Sequence, residues 1–497
     1  MLAGPLPSLL RASVSECASA LARLSNRALD PVQSLAVAAL LLLAWQPAWS
    51  RDLGFQLSFA ATLGLVTLTE PLLVPFARWP RFEPLARPLA ATCGAQLFAL
   101  PILLSRFHAL PWTGLGANLL AVPLAEMLLA ASALGGAAEA LLPGAGRPWL
   151  AACEPLARAL REVATFAASL PHALLATGHA GWIAPVLAAG VLCLGLSLPA
   201  PRTLAGRAWR PSKRRRWCAR SGIACCAAGL LGALLTRPMR PPPERWWLVA
   251  IDVGQGDALA LAFADRWWLV DAGPRSPRWD AGEGAVLPFL RWAGVRELGL
   301  VAITHDDGDH TGGVDAVRRG ARARDLVAPA PRPGVPGPCA KWPARAVGRG
   351  DTLRRDPLVR VLWPPRPGEP AEEISRRGDN AAALVLEVGE GVGRALLTAD
   401  ADSVVEVSLE VASGVAVLKA GHHGSGSSSG AVFTRRLAPA WVLVSCGRRN
   451  AYGHPNAGAL ARLGAGGAVI DRTDRSGAIW YELGTEGARV LAWKRHP

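Results

Sequence analysis

The sequence predicts a multi-span α-helical membrane domain followed by a soluble α/β domain, because charge and hydropathy divide the chain near residue 243. Residues 1–243 hold 21 Lys and Arg against 9 Asp and Glu, separated by long apolar runs. Residues 244–497 hold 32 against 29, which is typical of a soluble domain. Most of the net charge of +15 therefore lies on the apolar half, where a basic excess favours anchoring at a membrane face. Charge alone leaves a nucleic-acid partner open.

Apolar runs of about 20 residues, the length that crosses a bilayer, recur through the first half. We expect five to seven spans, near 33–49, 53–76, 88–105, 114–140, 180–200 and 220–236, with a weaker candidate at 155–178. A simple anchor and a pore both fit this composition. The segment 201–220 carries eight Lys and Arg, so we expect it in the cytoplasm and the second half on the outer face of the membrane. The predicted domains are 1–236 (membrane), 237–247 (a proline-stiffened linker) and 248–497 (soluble).

Short runs rich in β-branched and aromatic residues, broken by turn residues, follow the linker. We expect strands at 246–254, 258–263, 267–273, 298–304, 382–389, 394–400, 414–421, 441–447 and 478–483. Helical patterns lie near 284–294, 401–412 and 456–464, and Asn456 is the expected N-cap of the last helix. This mixture predicts sheets covered by helices.

Polar side chains concentrate where the expected strands end. The segment THDDGDHTGG (304–313) has the pattern H-x-D-x-D-H, and Asp400, GHHGS (421–425) and GHP (453–455) follow other strands. Five of the six histidines of the soluble half lie in these segments: His305, His310, His422, His423 and His454. Mixed nitrogen and oxygen ligands suit Zn²⁺ or Mn²⁺. A solvated acidic turn explains 304–313 taken alone, but the clustering favours a metal site.

Four motifs of the second half, DVGQGDA (252–258), THDDGDHTGG, LLTAD (396–400) and LKAGHHGS (418–425), resemble those of ComEC-type DNA-uptake competence proteins. The membrane segments LGFQLSFAATLGLV (53–66) and ANLLAVPLAE (117–126) are similar to that family's competence domain. The resemblance implies an α/β (αββα) metallo-β-lactamase-like sandwich after the membrane domain. Family members begin with further membrane helices and a small β-barrel, so we expect a truncated or split protein.

The resemblance also implies a site with two divalent metal ions, Zn²⁺ or Mn²⁺, that activate a water molecule. The implied ligands are His305, Asp307, Asp309, His310, Asp400 as a bridge, and one or both of His422 and His423. Catalytic parts are implied for Asp309, His454 and Lys419, and Lys419 and Ser425 are expected to meet phosphate. Asp252 and Asp271 are expected to orient ligands or loops. A third-motif histidine of the superfamily is missing, and Asn380 lies where it would be expected.

The implied function is DNA uptake: a multi-pass channel in the bacterial inner membrane imports one strand, and a periplasmic nuclease domain degrades the other. The implied partners are DNA, membrane lipid, other competence proteins and a second copy of the chain. Support for DNA from the residues themselves is limited to paired arginines, such as Arg376 with Arg377 and Arg448 with Arg449, and to Trp342 and Tyr452 as base-stacking candidates. A tethered metallohydrolase with a non-DNA substrate and a metal-depleted remnant remain as alternatives.

Overall fold

The chain forms two compact units, Met1–Thr236 and Arg237–Pro497. The computed structural model describes residues 7–25, 30–74, 76, 79–170, 173–176, 178, 182–197, 213–235, 237–277, 279–331, 338, 341–366, 369 and 379–491. Most of the basic segment predicted to be cytoplasmic (201–212) and the pair Arg376 and Arg377 lie outside these residues.

The first unit is mainly helical over its described residues. Its helices are α1 (Pro7–Leu24), α2 (Pro31–Trp45), α3 (Leu53–Leu73), α4 (Glu83–Phe107), α5 (Gly114–Leu141), α6 (Arg147–Ser169), α7 (Ile183–Ser197) and α8 (Lys213–Leu235). Two short strands, β1 (Ala109–Pro111) and β2 (Leu174–Ala176), pair antiparallel. Helices α3 and α4 approach closely because glycines meet at their contact: a Cβ atom on Gly64 would lie 2.1 Å from the carbonyl oxygen of Gly94.

Three of the described helices, α3, α4 and α5, are long and apolar enough to cross a membrane. The segments Pro31–Trp45 and Pro185–Leu194 are apolar but shorter. The count is lower than the five to seven spans expected from the sequence, and the expected spans 180–200 and 220–236 run into residues outside the description. The weaker candidate, 155–178, corresponds to α6, which carries exposed charges such as Glu154 and Arg158.

The second unit contains two sheets and short helices. Its strands are β3 (Arg245–Ala250), β4 (Leu259–Ala262), β5 (Trp267–Val270), β6 (Arg275–Ser276), β7 (Trp279–Asp280), β8 (Glu297–Ala302), β9 (Arg322–Ala323), β10 (Leu326–Pro329), β11 (Arg345–Val347), β12 (Thr352–Arg355), β13 (Leu358–Trp363), β14 (Val385–Val388), β15 (Ala395–Leu397), β16 (Val417–Lys419), β17 (Trp441–Val444), β18 (Val469–Arg472), β19 (Ile479–Gly484) and β20 (Gly487–Val490). Its α-helices are α9 (Leu287–Trp292), α10 (Gly308–Thr311), α11 (Val314–Gly320), α12 (Ser403–Ser408), α13 (Ala431–Leu437), α14 (Ala457–Gly464) and α15 (Thr473–Ser476).

The first sheet has the order β11-β10-β8-β5-β4-β3-β19-β20, with β9 beside β8, and the second has the order β12-β13-β14-β15-β16-β17-β18. Alternate side chains of each strand point to opposite faces. Leu248 of β3 packs with Leu386 of the second sheet in a core between the sheets. Its neighbour Val249 packs instead in a core that includes Leu287 of α9. On the far side of the second sheet, a third core contains helix residues such as Phe433.

These layers run helix, sheet, sheet, helix, which is the αββα sandwich. The predicted fold class, a helical membrane domain followed by such a sandwich, is confirmed. Asn456 caps α14 as expected, because its side chain accepts a hydrogen bond from the amide of Gly458. Part of the segment predicted as a linker is ordered on the sandwich: the Met239 amide donates to the carbonyl of Ala293 (2.8 Å), and β3 begins at Arg245. Strands β10 to β13 were not expected from the sequence.

Candidate metal centre

The candidate site lies where parallel strands of both sheets end. Strands β5 and β8 are parallel in the first sheet, and β15, β16 and β17 are parallel in the second. The polar residues that follow these strands are Asp271, Thr304, His305, Asp307, Asp309, His310, Asp400, His422, His423 and His454. The amide of Leu384 donates to the carbonyl of Thr304 (2.8 Å), which ties the loops of the two sheets together. Parallel strands thereby bring together side chains that are far apart in the sequence.

The GQG turn between β3 and β4 supports the segment 304–313 from below. Gly256 has a φ of 134°, and a Cβ atom there would lie 2.1 Å from the carbonyl oxygen of Asp309. Glycine meets both requirements because it has no Cβ atom. The amide of Asp257 donates to the same carbonyl (3.2 Å), so the turn holds the backbone at Asp309.

Hydrogen bonds orient the rings of His305 and His310. Asp271 accepts the Nδ1–H of His310 (2.7 Å) and also the hydroxyl of Thr304 (2.7 Å). Because that hydroxyl has given its one proton to Asp271, it accepts the Nδ1–H of His305 at 2.9 Å. Both imidazoles therefore carry a proton on Nδ1 and direct Nε2 to the centre.

The ring of His423 also directs Nε2 to the centre, but its Nδ1 is held by a backbone carbonyl. Its Nδ1–H donates to the carbonyl of Ser445 (3.0 Å), and its Nε2 lies 3.1 Å from Oδ2 of Asp309. Such a partner on the second ring nitrogen is common for metal-binding histidines, since it fixes the tautomer and the ring. His422 and His423 both adopt left-handed backbone conformations, with φ of 45° and 54°. Non-glycine residues rarely adopt this conformation, which is found where a site requires it.

Asp400 is the centre of the cluster. Its Oδ1 lies 3.2 Å from Nε2 of His310 and 3.6 Å from Nε2 of His423. Its Oδ2 lies 3.6 Å from Nε2 of His422 and 4.0 Å from Nε2 of His305, which is itself 3.4 Å from Asp307. The two carboxylate oxygens thus face two different sets of ligand atoms, an arrangement suited to a bridging carboxylate.

The residues fit a divalent metal. Among the described residues, the buried atoms without a hydrogen-bond partner include four ligand atoms of the centre: Nε2 of His305, His310 and His423, and Oδ1 of Asp400. Buried polar atoms are normally satisfied, so such convergence indicates a missing electrophile. The ligand atoms of His305, His310 and Asp400 lie within 4.8 Å of one another, as do those of Asp309, His310 and His423. Nitrogen and oxygen donors of this kind suit Zn²⁺ or Mn²⁺.

The charges of the centre are strongly coupled. Burial alone would lower the pKa of His423, but the carboxylates of Asp400 and Asp257 raise this pKa to about 9. Burial opposes the charged form of His310 too, and Asp400 and Asp271 raise its pKa well above the ordinary value. Burial would raise the pKa of Asp400, but His423 and His310 lower it well below the ordinary range. Without a metal, protons on the imidazoles therefore balance the carboxylates.

Lys419 differs from the sequence-based expectation. It is fully buried behind the centre, where its ammonium pairs with Asp257, donates to the carbonyl of Ala399 (2.8 Å) and lies 3.8 Å from Asp400. Its pKa is raised because Asp257 and Asp400 outweigh the effect of burial. A fully enclosed ammonium does not reach the phosphate of a substrate in this conformation, so Lys419 is a positioning residue here rather than a substrate contact.

Other expected residues fall into two groups. Ser425 is partly exposed and its hydroxyl bonds to the hydroxyl of Ser427 (3.0 Å), whereas Asp252 is exposed and accepts from the amide of Gly254 (3.2 Å). In the part of the chain that the structure describes, the side chain of Asn380 forms no hydrogen bond with the residues of the centre. Asp306, which is not among the implied ligands, pairs with Lys341 at 2.8 Å. Trp342 is buried and donates to Asp315 (2.9 Å), so the expectation that it stacks on bases is wrong.

Asp257 is a buried residue of the centre that the sequence-based ligand set omitted. It is fully buried and joins Lys419 to His423, whose Nδ1 lies 3.4 Å from its Oδ1. The signal was its place in DVGQGDA, directly before an apolar strand, where a carboxylate needs a buried partner.

The buried and the accessible sides of the centre can be named separately. We call the buried residues Asp257, Asp271, His305, His310, Asp400, Lys419 and His423 the inner wall. The partly exposed residues Asp307, Asp309, His422 and His454 form the outer wall. The ring of His454 lies 5.7 Å from that of His422, which places it at the open side of the centre.

Comparison with known proteins agrees with the sequence motifs. Residues 1–202 match the family model described as Competence protein. The chain is 26% identical to ComE operon protein 3 of Bacillus subtilis (strain 168), over 97% of this chain and 62% of that protein. It is 28% identical to Competence protein ComA of Neisseria gonorrhoeae, over 92% of this chain and 64% of that protein. The chain therefore spans somewhat less than two thirds of either relative's length.

Among solved structures, a diphosphatase of the PhnP family is similar to 48% of this chain and to 98% of its own, with 14% sequence identity and a TM-score of 0.31. The two competence proteins, by contrast, match across both units, and the family match covers most of the first unit. Over most of its length the chain is thus similar to ComE operon protein 3 and to Competence protein ComA, in agreement with the resemblance that its motifs showed.

Proposed function

We propose that this chain acts in DNA uptake, with the helical unit carrying a single strand across the inner membrane and the sandwich hydrolysing phosphodiesters of the other strand. The hydrolase part is carried by one observation: four buried ligand atoms converge around Asp400 without hydrogen-bond partners in the described structure. The DNA part is supported by the relatives, two of which are named for competence or its operon.

The proposed metal ligands are His305, Asp307, Asp309, His310, Asp400, His422 and His423. A bound Zn²⁺ or Mn²⁺ would supply an activated water molecule and stabilise charge on the phosphoryl oxygens. Asp271, Thr304 and the carbonyl of Ser445 hold the imidazoles so that each Nε2 faces the centre. Lys419 and Asp257 hold Asp400 and His423 from behind.

The outer wall has the proposed task of handling the substrate. As water adds to phosphorus and the bond to the leaving oxygen breaks, that oxygen needs a proton. His454 is the proposed donor, because it is a partly exposed imidazole at the open side of the centre, with its ring 5.7 Å from that of His422. Burial lowers the pKa of His454, and the neighbouring imidazole of His422 lowers it further, which makes its protonated form a better acid.

The test uses the purified chain in detergent with single- and double-stranded DNA and added Mn²⁺ or Zn²⁺. We expect metal-dependent cutting that the double variant Asp309→Ala, His310→Ala loses, while the control Asp306→Asn retains it. Stoichiometric metal binding without DNA cutting would overturn the nuclease and favour the tethered hydrolase of another substrate. Absence of bound metal would overturn the metal centre itself.

The proposed location is the inner membrane, with the sandwich on the periplasmic face. Protease added to spheroplasts should remove an epitope tag placed at the C-terminus, whereas protection of the tag until the membrane is opened would reverse the orientation. Assembly with other competence proteins is proposed because two relatives are named for competence or the ComE operon. Cross-linking in the membrane tests this assembly and also the expected pairing with a second copy of the chain.

A further inference from the structure

The loop after β17 presents an aromatic side chain at the open side of the centre. Tyr452 is 72% exposed, and its ring lies parallel to that of His454, with 5.9 Å between centroids and 9° between planes. The ring of His454 lies 5.7 Å from that of His422, whose Nε2 is 3.6 Å from Asp400. A series of three rings therefore runs from the centre to the surface.

The backbone of this loop is well fixed. Asn450 donates from Nδ2 to the carbonyls of Gly447 (2.8 Å) and His454 (2.6 Å) and accepts from the amide of His454 (3.0 Å). The amide of Gly447 donates to the side chain of Gln255 (3.1 Å), which anchors the loop to the GQG turn. A preorganised aromatic residue loses little entropy when it meets a ligand. Tyr452 belongs to none of the hydrophobic cores of the described structure, so packing of the fold does not explain its place.

Two cations stand at the start of the same loop. Arg448 and Arg449 are both exposed, and Arg448 donates to the carbonyl of Asp474 (3.2 Å), which restrains it. Arg449 has a left-handed backbone (φ 56°) and no ion pair among the described residues. An exposed arginine without a carboxylate partner suits a phosphate group.

We propose that Tyr452 is a stacking platform for an unpaired nucleobase next to the phosphodiester to be cut, with Arg449 contacting the backbone phosphate beside it. The inference rests on the proposed function and narrows its substrate to strands with unpaired bases at the centre. A base within a duplex has both faces covered by its neighbours, whereas a single-stranded base offers a free face to an aromatic ring. Tyr452 would thereby select strand state without reading sequence.

The experiment compares the full chain in detergent with Tyr452→Ala, Tyr452→Phe and, as a matched control, Val432→Ala, which truncates another exposed apolar side chain of the sandwich. The substrates are a single-stranded oligonucleotide and the same oligonucleotide with abasic residues throughout. Loss of one stacking contact weakens binding by about tenfold. We therefore expect Tyr452→Ala to raise KM for the normal strand about tenfold with kcat little changed. Tyr452→Phe and Val432→Ala should match the parent, and abasic DNA should not distinguish the variants.

Binding measured separately by fluorescence anisotropy keeps this inference distinct from the proposed function. If the parent chain cuts DNA while KM and binding are unchanged in Tyr452→Ala, the platform is overturned and the nuclease stands. If the parent chain binds single strands through Tyr452 but cuts nothing, the platform stands and the nuclease fails. Arg449→Ala should weaken binding of normal and abasic strands equally. It should also reduce the slope of the logarithm of the binding constant against the logarithm of the salt concentration by about one. An effect that depends on the presence of bases would contradict the phosphate contact.

Discussion

The inner and outer walls of the centre use similar side chains in different ways. His310 and His423 of the inner wall each bond through Nδ1 to a protein acceptor, and Lys419 donates to a backbone carbonyl. The side chains of the outer wall form no hydrogen bond to a protein group beyond the centre in the described structure. Groups held from behind can position a metal, whereas groups free on one side can meet a substrate. The difference teaches that substitutions in the inner wall should cost stability as well as metal binding, whereas substitutions in the outer wall should cost function with little loss of stability.

The largest effect is expected from Lys419→Met. Removing the ammonium leaves Asp257 and Asp400 buried without their cation, which costs about 3–5 kcal/mol in the free energy of unfolding. Urea unfolding of residues 237–497 measures this cost, because all three cores of that unit lie within it. The double variant Asp257→Asn, Lys419→Met should recover much of the loss. A single variant as stable as the parent would show that the pair does not support the inner wall.

A smaller effect is expected from Asp271→Asn. The amide no longer fixes the Nδ1 proton of His310, and loss of such a partner costs about 10- to 100-fold in metal affinity. Competition with a chelating dye measures the affinity. Asp252→Asn is the control, because that carboxylate is exposed and accepts a hydrogen bond from a backbone amide of its own turn. Equal metal affinities for the two variants would mean that the hydrogen bond from His310 to Asp271 does not orient the His310 ring.

The pH dependence of stability separates the metal-free from the metal-loaded state. His423 has a folded-state pKa of about 9, above its unfolded value, so its stabilising contribution is full below about pH 6.5 and is lost as the pH rises through 9. His310 acts in the same direction. With a chelator, the melting temperature should therefore fall between these pH values, and the fall should be smaller in His423→Gln. With Zn²⁺ or Mn²⁺ the metal replaces the proton and the fall should disappear; a rise with chelator present would refute the charge assignment.

The smallest effect is expected from Asp306→Asn, which separates two neighbouring carboxylates. Asp306 pairs with the exposed Lys341, so its loss should change the free energy of unfolding by less than about 1 kcal/mol and leave metal affinity unchanged. Asp307→Asn should weaken metal binding, because its Oδ2 faces Nε2 of His305. Isothermal titration of both variants measures the contrast. Weaker metal binding in Asp306→Asn would show that Asp306, rather than Asp307, is the ligand.

The sequence predicted the ligand residues at the strand ends better than the buried residues that hold them, such as Asp257 and Lys419. Strand ends were visible because apolar runs such as 298–303 stop at polar residues, and parallel strands then bring these ends together. The link of Asp257 to Lys419 was not predictable, because pairing of buried charges depends on strand order in two sheets. The role expected for Lys419 was implied by the family resemblance, whereas its burial depends on contacts made across the fold.

For the fold, the sequence predicted the central strands of the sandwich but not several of its outer strands. Central strands such as β4 and β5 are continuous apolar runs, which is the pattern of strands buried on both faces. Strands β12 and β13 contain arginines, and β10 ends at Pro329 in a proline-rich segment, so their local pattern resembles loop. Trp342 was similarly ambiguous: a tryptophan in a loop is as compatible with a core as with a binding surface, and tertiary packing decides between them.

The left-handed backbones of His422 and His423 have a consequence for laboratory evolution. Each conformation costs a side-chain-bearing residue about 1–3 kcal/mol, and glycine would relieve much of that cost. A library selected for heat resistance alone should therefore accumulate His422→Gly, because that position is partly exposed and loses little packing. The most heat-resistant variants would then be those that have lost side chains of the outer wall. A selection for thermal stability therefore has to select for catalytic turnover in the same round.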